Sequence, residues 1–198
     1  MAETAPFAPK IHMPDPEAEA LRAAYRDARV IGEYGSGGST AFAATECDAR
    51  LLSIESDRDW VAKLQDWIDA QGVTPGRITV QHCNLGPTGP WGRPSNNNLW
   101  RRFWTYPYAL WSDPGFDPDL VLIDGRFRIA CLAATLLHCR KPVTVLFDDY
   151  AERTDYHVVE EIIPRAGLIG RLARFEIAPG QVQPAQFAQM VPWFFSAG

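Results

Sequence analysis

The chain is predicted to fold as a single doubly wound α/β domain over residues 1–198, with a largely parallel sheet between two layers of helices. Three observations predict this fold. Short apolar runs that suit buried strands alternate with stretches that suit helices. A glycine-rich turn follows the first of those runs, and acidic or amide residues follow the later ones. Because parallel strands end at one edge of such a sheet, these polar residues should meet where ligands bind.

The composition is typical of a globular protein. Hydrophobic residues make up 46% of the chain, and the net charge of −5 argues against nucleic acid as a partner, since a phosphate backbone attracts clustered cations. The four cysteines form no C-x-x-C pair, and the N-terminus resembles no secretion leader. No apolar run is long enough to span a membrane. We therefore expect a cytoplasmic protein without a membrane partner, and a homodimer stays an open alternative.

The N-terminal part of the chain, residues 1–28, is predicted to be an extended arm followed by a helix. Prolines keep the arm extended, and Pro16 suits the first turn of a helix. The helix is predicted over Glu17–Asp27, with Leu21 and Ala24 on one face. It should cover one side of the sheet.

The first strand leads into the glycine-rich turn. Val30–Thr40 reads V-I-G-E-Y-G-S-G-G-S-T, in which Ser39 and Thr40 open a helix predicted to include Ala41–Ala44. Glycine lets the backbone turn sharply and lets a ligand approach the main chain. The free N–H groups at the helix start can bind a carboxylate, a phosphate or a hydroxyl group.

The second strand, Arg50–Ser56, supplies an acid whose sequence spacing from the glycine-rich turn is informative. Glu55 lies 20 positions after Gly35, the spacing at which a nucleotide-binding βαβ unit presents a carboxylate to ribose hydroxyls. A dinucleotide fingerprint would need a small third residue at position 40, which is Thr40. The turn reads instead as E-x-G-x-G over Glu33–Gly37.

The later elements continue the alternation of helices and strands. A capping-box pattern at Ser56–Asp59 opens a helix, and an apolar run bounded by polar residues marks the fourth strand. The terminal segments are predicted to be a pair of strands, although Pro192 conflicts with a regular interior strand. The predicted elements are a strand at Ile78–His82, a strand at Leu120–Ile123, a helix at Phe127–Cys139, a strand at Pro142–Phe147, a helix at Asp155–Ile163 capped by Thr154, and strands at Arg171–Ile177 and Gln186–Phe195.

These motifs resemble those of the class I S-adenosylmethionine (SAM)-dependent methyltransferases. The resemblance begins near Val30 and covers most of the chain. Its later marks are H-C-N-L-G-P-T-G-P-W-G at His82–Gly92, L-V-L-I-D-G-R-F-R at Leu120–Arg128 and V-L-F-D-D-Y at Val145–Tyr150. The I-D-G-R-F-R run is similar to that of a bacterial methyltransferase-like group.

The resemblance implies a Rossmann-like methyltransferase sheet with strand order 3-2-1-4-5-7-6 and SAM as the cofactor. The glycine turn would hold the amino-acid part of SAM, Glu55 its ribose and the Cys83–Leu85 region its adenine. The implied cofactor-binding residues are Glu33, Gly35, Gly37, Gly38, Ser39, Glu55, Asn84 and Asp124.

Asp124 and His157 are the candidate catalytic residues, Asp124 in the methyl pocket and His157 as a base. Catechol-type O-methyltransferases carry an acid after the fourth strand and an acidic pair after the fifth, which hold a divalent cation. The similar arrangement here suggests Mg²⁺ bound by Asp124, Asp148 and Asp149. The alternative is that the pair caps the next segment or faces solvent, while Asp124 works without metal.

Residues 85–118, rich in proline and aromatic residues, are predicted to be a substrate lid, since connections this long are usually functional. A helix interrupted at Pro107 is predicted within Asn98–Trp111. The alternative is a packed excursion whose tryptophans fill space. The predicted substrate-binding residues are Trp91, Arg93, Arg101 and Arg126. Arg126 and its neighbour Arg128 either anchor an acidic substrate or pair with nearby acids.

The sequence therefore predicts a SAM-dependent methyltransferase for a small-molecule acceptor, with an O-methyltransferase assisted by a divalent metal as its most specific form. Two alternatives stay open. One is a catalytically silent SAM-binding or interaction module, and the other is a nicotinamide-dependent oxidoreductase.

Overall fold

The computed structural model describes residues 7–196. Its strands are β1 (Val30–Tyr34), β2 (Arg50–Glu55), β3 (Ile78–His82), β4 (Leu120–Ile123), β5 (Val143–Phe147), β6 (Gly167–Ile169) and β7 (Leu172–Ile177). They form one seven-stranded sheet in the order β3-β2-β1-β4-β5-β7-β6, which confirms the predicted order. The first five strands pair in parallel, and β7 runs antiparallel to both of its neighbours.

Within residues 7–196, six α-helices accompany the sheet, and short 3₁₀ helices occupy several connections. The α-helices are α1 (Asp15–Asp27), α2 (Gly38–Glu46), α3 (Arg58–Ala70), α4 (Thr105–Ala109), α5 (Arg128–His138) and α6 (Pro184–Met190). The 3₁₀ helices are Pro90–Gly92, Trp100–Arg102, Thr154–Glu161 and Val191–Phe195. None of these helices in the described part of the chain is long and apolar enough to cross a membrane.

The sheet is buried on both faces because its central strands are apolar throughout. All four residues of β4 are buried, and they alternate between the two sides of the sheet. Val121 and Ile123 join a core with α4 and α5, whereas Leu120 and Leu122 join a core with α1, α2 and α3. This layering confirms the doubly wound fold.

The prediction that Gln186–Phe195 forms the last strand is wrong. The segment is helical, with Pro184 in the first turn of α6, where its missing N–H costs nothing. Met190 and Trp193, three residues apart, are both buried, which suits a helical repeat better than the two-residue period of a strand. The strand that pairs with β7 is instead the three-residue β6.

Two predicted helix starts also differ in detail. α3 is capped by Asp57 rather than by Ser56, because the Asp57 carboxylate accepts hydrogen bonds from the backbone N–H groups of Asp59 and Trp60, both 3.0 Å long. The helix predicted after Thr154 is a 3₁₀ helix over Thr154–Glu161.

The predicted lid, residues 85–118, divides into two halves. The second half belongs to the core: Phe103, Tyr106, Leu110 and Phe116 are at most 1% exposed. This second half therefore matches the alternative prediction, a packed excursion whose aromatic side chains fill space. Pro107 lies within the first turn of α4 and does not interrupt it. The first half lies at the surface and contains most of the exposed side chains of this segment.

Candidate functional site

The glycine turn after β1 and the loop after β4 meet at the carboxyl edge of the sheet. Gly35 has a φ of +90°, and a Cβ there would lie 2.6 Å from the Cα of Gly125. A Cβ at Gly125 would in turn lie 2.3 Å from the hydroxyl oxygen of Tyr106. That hydroxyl donates a hydrogen bond to the carbonyl oxygen of Ile54, 3.1 Å away, at the end of β2. The ends of three neighbouring strands are therefore in close contact around two glycines.

Glu33 lies beneath this turn and stabilises it. Its side chain is fully buried, and it accepts hydrogen bonds from the Tyr25 hydroxyl at 2.5 Å and the Thr40 hydroxyl at 2.6 Å. Thr40 also accepts a hydrogen bond from the backbone N–H of Gly37 at 2.9 Å. Burial raises the pKa of Glu33, while these hydrogen bonds lower it. Glu33 thus ties α1 and the start of α2 to the glycine turn.

Glu55 lies at the end of β2 and reaches the same turn. One carboxylate oxygen accepts from the backbone N–H of Ser36, at 3.2 Å, and the other from those of Ser56 and Asp57, at 2.6 and 3.0 Å. The hydroxyl groups of Ser36 and Ser56 also point at this carboxylate. Its acceptor positions are therefore largely filled by the protein itself.

Two chain segments cover these residues. The backbone of Lys10 and Ile11 passes over Gly38, at the start of α2, so closely that a Cβ there would lie 2.0 Å from the carbonyl carbon of Lys10. On the other side, the turn at Gly92 packs against the end of β2. A Cβ at Gly92 would lie 2.8 Å from a carboxylate oxygen of Glu55.

The turn that contains Gly92 belongs to a short hairpin, residues 86–95, which we call the Trp91 hairpin. A bridge between Thr88 and Pro94 closes it. The Ser56 hydroxyl donates a 2.6 Å hydrogen bond to the carbonyl oxygen of Gly92. At its tip, Trp91 is 81% exposed and has a positive φ of 61°.

The three acids predicted to bind a metal are brought together, but arginines neutralise them. Arg171 holds the buried Asp148 through two hydrogen bonds of 3.0 Å. Arg128 lies between the other two acids, 3.0 Å from Asp124 and 3.2 Å from Asp149. Asp149 also pairs with Arg153 at 2.7 Å and with Arg171 at 3.4 Å.

The predicted Mg²⁺ site does not fit this arrangement. Guanidinium groups occupy the acceptor positions that a cation would need, and they supply the positive charge that relieves repulsion between the acids. Within residues 7–196 no group of three or more acidic, histidine or cysteine side chains has the geometry to hold a metal ion.

Asp124 differs from the other two acids because it stays accessible. Its side chain is 37% exposed, compared with 2% for Asp148 and 17% for Asp149. The surrounding protein raises its pKa to about 7, chiefly by burial and further through the charges of Asp148 and Asp149, while Arg128 lowers it. A carboxylate that titrates near neutral pH can accept a proton from a substrate.

His157 and Asn84 lie in local structure instead. The His157 ring stacks on Tyr150, with centroids 4.8 Å apart, and its Nε2 lies 3.1 Å from the Tyr150 carbonyl oxygen. The structure therefore gives the predicted catalytic role of His157 no support. The side chain of Asn84 accepts a hydrogen bond from the backbone N–H of Gly86, 3.0 Å away, as turn residues commonly do. Its adenine contact stays a prediction.

The predicted substrate-binding residues separate into two groups. Trp91, Arg93 and Arg101 are exposed at the surface, where Arg101 lies over the ring of Trp100 at 5.5 Å. Arg126 lies at the carboxyl edge, two residues after Asp124. It is half-buried. Because of its position at the carboxyl edge, Arg126 is the one member of the four predicted substrate-binding residues that belongs to the cluster of acids and arginines.

Comparison with known proteins assigns the family. No protein-family model and no curated protein matches the chain. The crystal structure of a methyltransferase-like protein from Silicibacter pomeroyi shares 43% sequence identity with it, covering 95% of this chain and 98% of that one at a TM-score of 0.89. The chain belongs to this methyltransferase-like family.

Two more distant structures share the fold of this chain. A methyltransferase from Geobacter sulfurreducens is 13% identical, with a TM-score of 0.54 over 84% of this chain and 80% of that one. The C-terminal domain of precorrin-6Y C5,15-methyltransferase from Rhodobacter capsulatus is 16% identical, with a TM-score of 0.55 over 87% and 94% of the two chains. Both confirm the methyltransferase-type sheet.

The residues of this methyltransferase-like protein fit SAM in chemical type. The glycine turn, the carboxylate of Glu55 and the accessible Asp124 lie at the carboxyl edge, where doubly wound sheets bind ligands. The Trp91 hairpin, however, packs on Glu55: its Gly92 approaches the carboxylate closely and accepts a hydrogen bond from the neighbouring Ser56. In this structure the hairpin therefore covers Glu55.

Sequence reasoning missed the role of Arg171. It begins the segment that leads into β7, and it meets Asp148 only because β7 lies beside β5 in the sheet. No local motif marks it. Arg128 was recognisable, since it stands four residues after Asp124, and the structure assigns it the pairing role rather than the anchoring one.

Proposed function

We propose that the protein is a SAM-dependent methyltransferase that acts on a small-molecule acceptor. One observation carries the proposal: the glycine turn and the acid of β2 are in direct contact, through the hydrogen bond from Ser36 to Glu55. These two elements are the ones that a class I cofactor site requires, and they lie beside Asp124. Membership in the methyltransferase-like family supports the same conclusion.

The residues have distinct roles in this proposal. The glycine turn would hold the amino-acid part of SAM and Glu55 its ribose; when bound, SAM supplies an activated methyl group. Asp124 would accept the proton that the acceptor loses. Its exposure lets an acceptor reach it, and the ion pair with Arg128 fixes the position of its carboxylate. The close packing of Tyr106 on Gly125 would help to exclude water from the transfer.

Calorimetry with SAM and its demethylated product, S-adenosylhomocysteine (SAH), tests the cofactor site. Glu55→Ala should weaken SAM binding by about 1–3 kcal/mol, because charged hydrogen bonds to ribose are lost. Glu46→Ala, an exposed acid at the end of α2, is the matched control and should leave binding unchanged. Equal SAM affinity in both variants would overturn the assignment of Glu55.

Methyl transfer from labelled SAM to a metabolite extract then tests turnover. If the parent protein labels a small molecule and the Asp124→Asn variant does not, the result supports the proposed methyltransferase activity. Binding of SAM without any transfer would favour a catalytically silent SAM-binding module. The saturated hydrogen bonds of Glu55 and the close packing of Gly92 are the observations that favour that second candidate.

The nicotinamide-dependent oxidoreductase has less support. The third position of a dinucleotide fingerprint is Thr40, whose hydroxyl group is buried against Glu33. NAD in the same calorimetric series should show no binding, and binding of NAD alone would overturn the proposal.

A further inference from the structure

Arg126 differs from the other arginines of the carboxyl-edge cluster because it has no acidic partner. Arg128, Arg153 and Arg171 each lie within 3.4 Å of a carboxylate oxygen. In the part of the chain that the structure describes, Arg126 makes no salt bridge, and its buried Nε–H makes no hydrogen bond. A buried N–H donor without a partner costs free energy, so its presence calls for an explanation.

The surroundings of Arg126 increase that cost. Desolvation and the nearby charge of Arg128 both lower the pKa of Arg126, and Arg153 lowers it further. The three acids of the cluster are already paired with three arginines, so none of them compensates a fourth. The cluster therefore carries one uncompensated guanidinium group at the carboxyl edge of the sheet.

This group can be reached by a ligand. Arg126 as a whole is only half-buried, and its terminal nitrogens, unlike Nε, are not among the buried unpaired atoms. Asp124, two residues earlier, is accessible as well. A ligand held by the terminal nitrogens would thus lie at the loop after β4, which also carries the proposed proton acceptor.

We infer that Arg126 binds the carboxylate of an acidic methyl acceptor, an inference that rests on the proposed function and names its substrate class. One unpaired guanidinium group matches one singly charged carboxylate, whose two oxygens can face the two terminal nitrogens. Among the described residues of the cluster, a phosphate dianion would find only one cation without an acidic partner. The carboxylate would restore the missing charge balance of the cluster and hold the acceptor at the loop that also carries Asp124.

The test uses benzoate as a singly charged flat carboxylate, benzamide as its neutral counterpart, and inorganic phosphate. Each is titrated into the ¹⁵N-labelled full chain, and dissociation constants are taken from the chemical shifts. Benzoate should bind more tightly than either of the other two. Arg126→Gln should weaken benzoate binding by about tenfold or more, because a charged hydrogen-bonded pair is lost.

Arg174→Gln is the matched control, since Arg174 is an exposed arginine on β7, and it should bind benzoate as the parent protein does. Equal benzoate binding in Arg126→Gln and the parent would overturn the inference, and so would tighter binding of benzamide or phosphate than of benzoate. The titration requires neither SAM nor turnover. A failure of the Arg126 site is therefore distinguishable from a failure of SAM binding, which calorimetry reports separately.

Thermal unfolding separates binding from a structural role. Without benzoate, Arg126→Gln should melt at the same temperature as the parent or higher, because an unpaired charge is removed. Benzoate should raise the melting temperature of the parent and not that of the variant. A variant that melts well below the parent without ligand would identify Arg126 as a structural residue and overturn the inference.

Discussion

Arg171 and Asp148 form a paired contact in which Nε and one terminal nitrogen of the guanidinium group each lie 3.0 Å from a different carboxylate oxygen. Asp148 is only 1% exposed, so its charge depends on this partner. The contact joins the end of β5 to the start of β7. It therefore holds the antiparallel strand β7 against β5 beside the site.

Replacing Arg171 by methionine should destabilise the protein by about 3 kcal/mol or more, because a buried carboxylate loses its partner. Urea unfolding followed by circular dichroism measures the change. Arg174→Met is the control: its pair with Glu176 is exposed, with side chains 57% and 49% accessible, and such pairs contribute at most about 1 kcal/mol. Similar losses in the two variants would contradict the buried-pair argument.

The fold was predictable because its signals are local. β1, β2, β4 and β5 are apolar runs that end at a glycine or an acid, and β2, β4 and β5 start and end within one residue of their predicted bounds. The prediction for the C-terminal segment was wrong because its apolar residues suit both the period of a helix and the two-residue period of a strand. Pro184 and the buried spacing of Met190 and Trp193 decide for a helix, yet that burial is known only from the tertiary structure.

The site was predictable in its acids and not in all of their partners. The position of Glu55 follows from its spacing to Gly35, and Asp124 and Asp148 follow from their place after strands. Arg128 stands only four residues after Asp124, but the partner of Asp148 depends on strand order, since Arg171 lies 23 positions away along the chain. A sequence shows three acids close together and suggests a metal, whereas the folded chain supplies guanidinium groups from two other segments.

Asp124 should make stability depend on pH. Its pKa rises from an ordinary value of 3.8 to about 7 on folding, so between these values the native state binds more protons than the unfolded state. The free energy of unfolding should therefore fall as pH rises from about 4 to 7, and the contribution should level off above that.

Asp124→Asn removes this titration, so the difference in stability between variant and parent should shift in favour of the variant as pH rises through that window. Urea unfolding at several pH values measures it, with Asp66→Asn, an exposed acid on α3, as the control. A difference that stays constant with pH would show that Asp124 does not titrate there.

Gly38→Ala should weaken the packing of the N-terminal segment. The added Cβ would meet backbone atoms of Lys10 and Ile11 at 2.0 and 2.1 Å, and backbone atoms cannot move aside like a flexible side chain. We expect a loss of about 1–3 kcal/mol, as for other overpacked sites, although alanine favours a helix more than glycine does. Limited proteolysis should cut the N-terminal segment before α1 faster than in the parent.

Gly167→Ala is the control for that variant, because a Cβ at Gly167 meets no atom within 4 Å. It should leave both stability and the rate of proteolysis close to those of the parent. If the two alanine variants behaved alike, the close approach of residues 10 and 11 to α2 would not be a constraint on the fold.

The Trp91 hairpin should control access to Glu55, and two glycines allow this to be tested. Gly92 and Gly76 both have positive φ, 68° and 79°, so alanine pays a similar conformational cost at each. Only at Gly92 would the Cβ collide, at 2.4 Å from the Ser56 hydroxyl oxygen and 2.8 Å from the Glu55 carboxylate. Gly92→Ala should therefore push the hairpin off the end of β2, whereas Gly76→Ala should not.

With the hairpin displaced, SAH should associate with Gly92→Ala faster than with the parent, because the step that frees Glu55 has already occurred. Gly76→Ala should associate at the rate of the parent. Stopped-flow tryptophan fluorescence follows both, since Trp91 lies at the tip of the hairpin and is 81% exposed. Unchanged association in Gly92→Ala, with stability lowered beyond that of Gly76→Ala, would mean that the hairpin packs on Glu55 without gating the cofactor site.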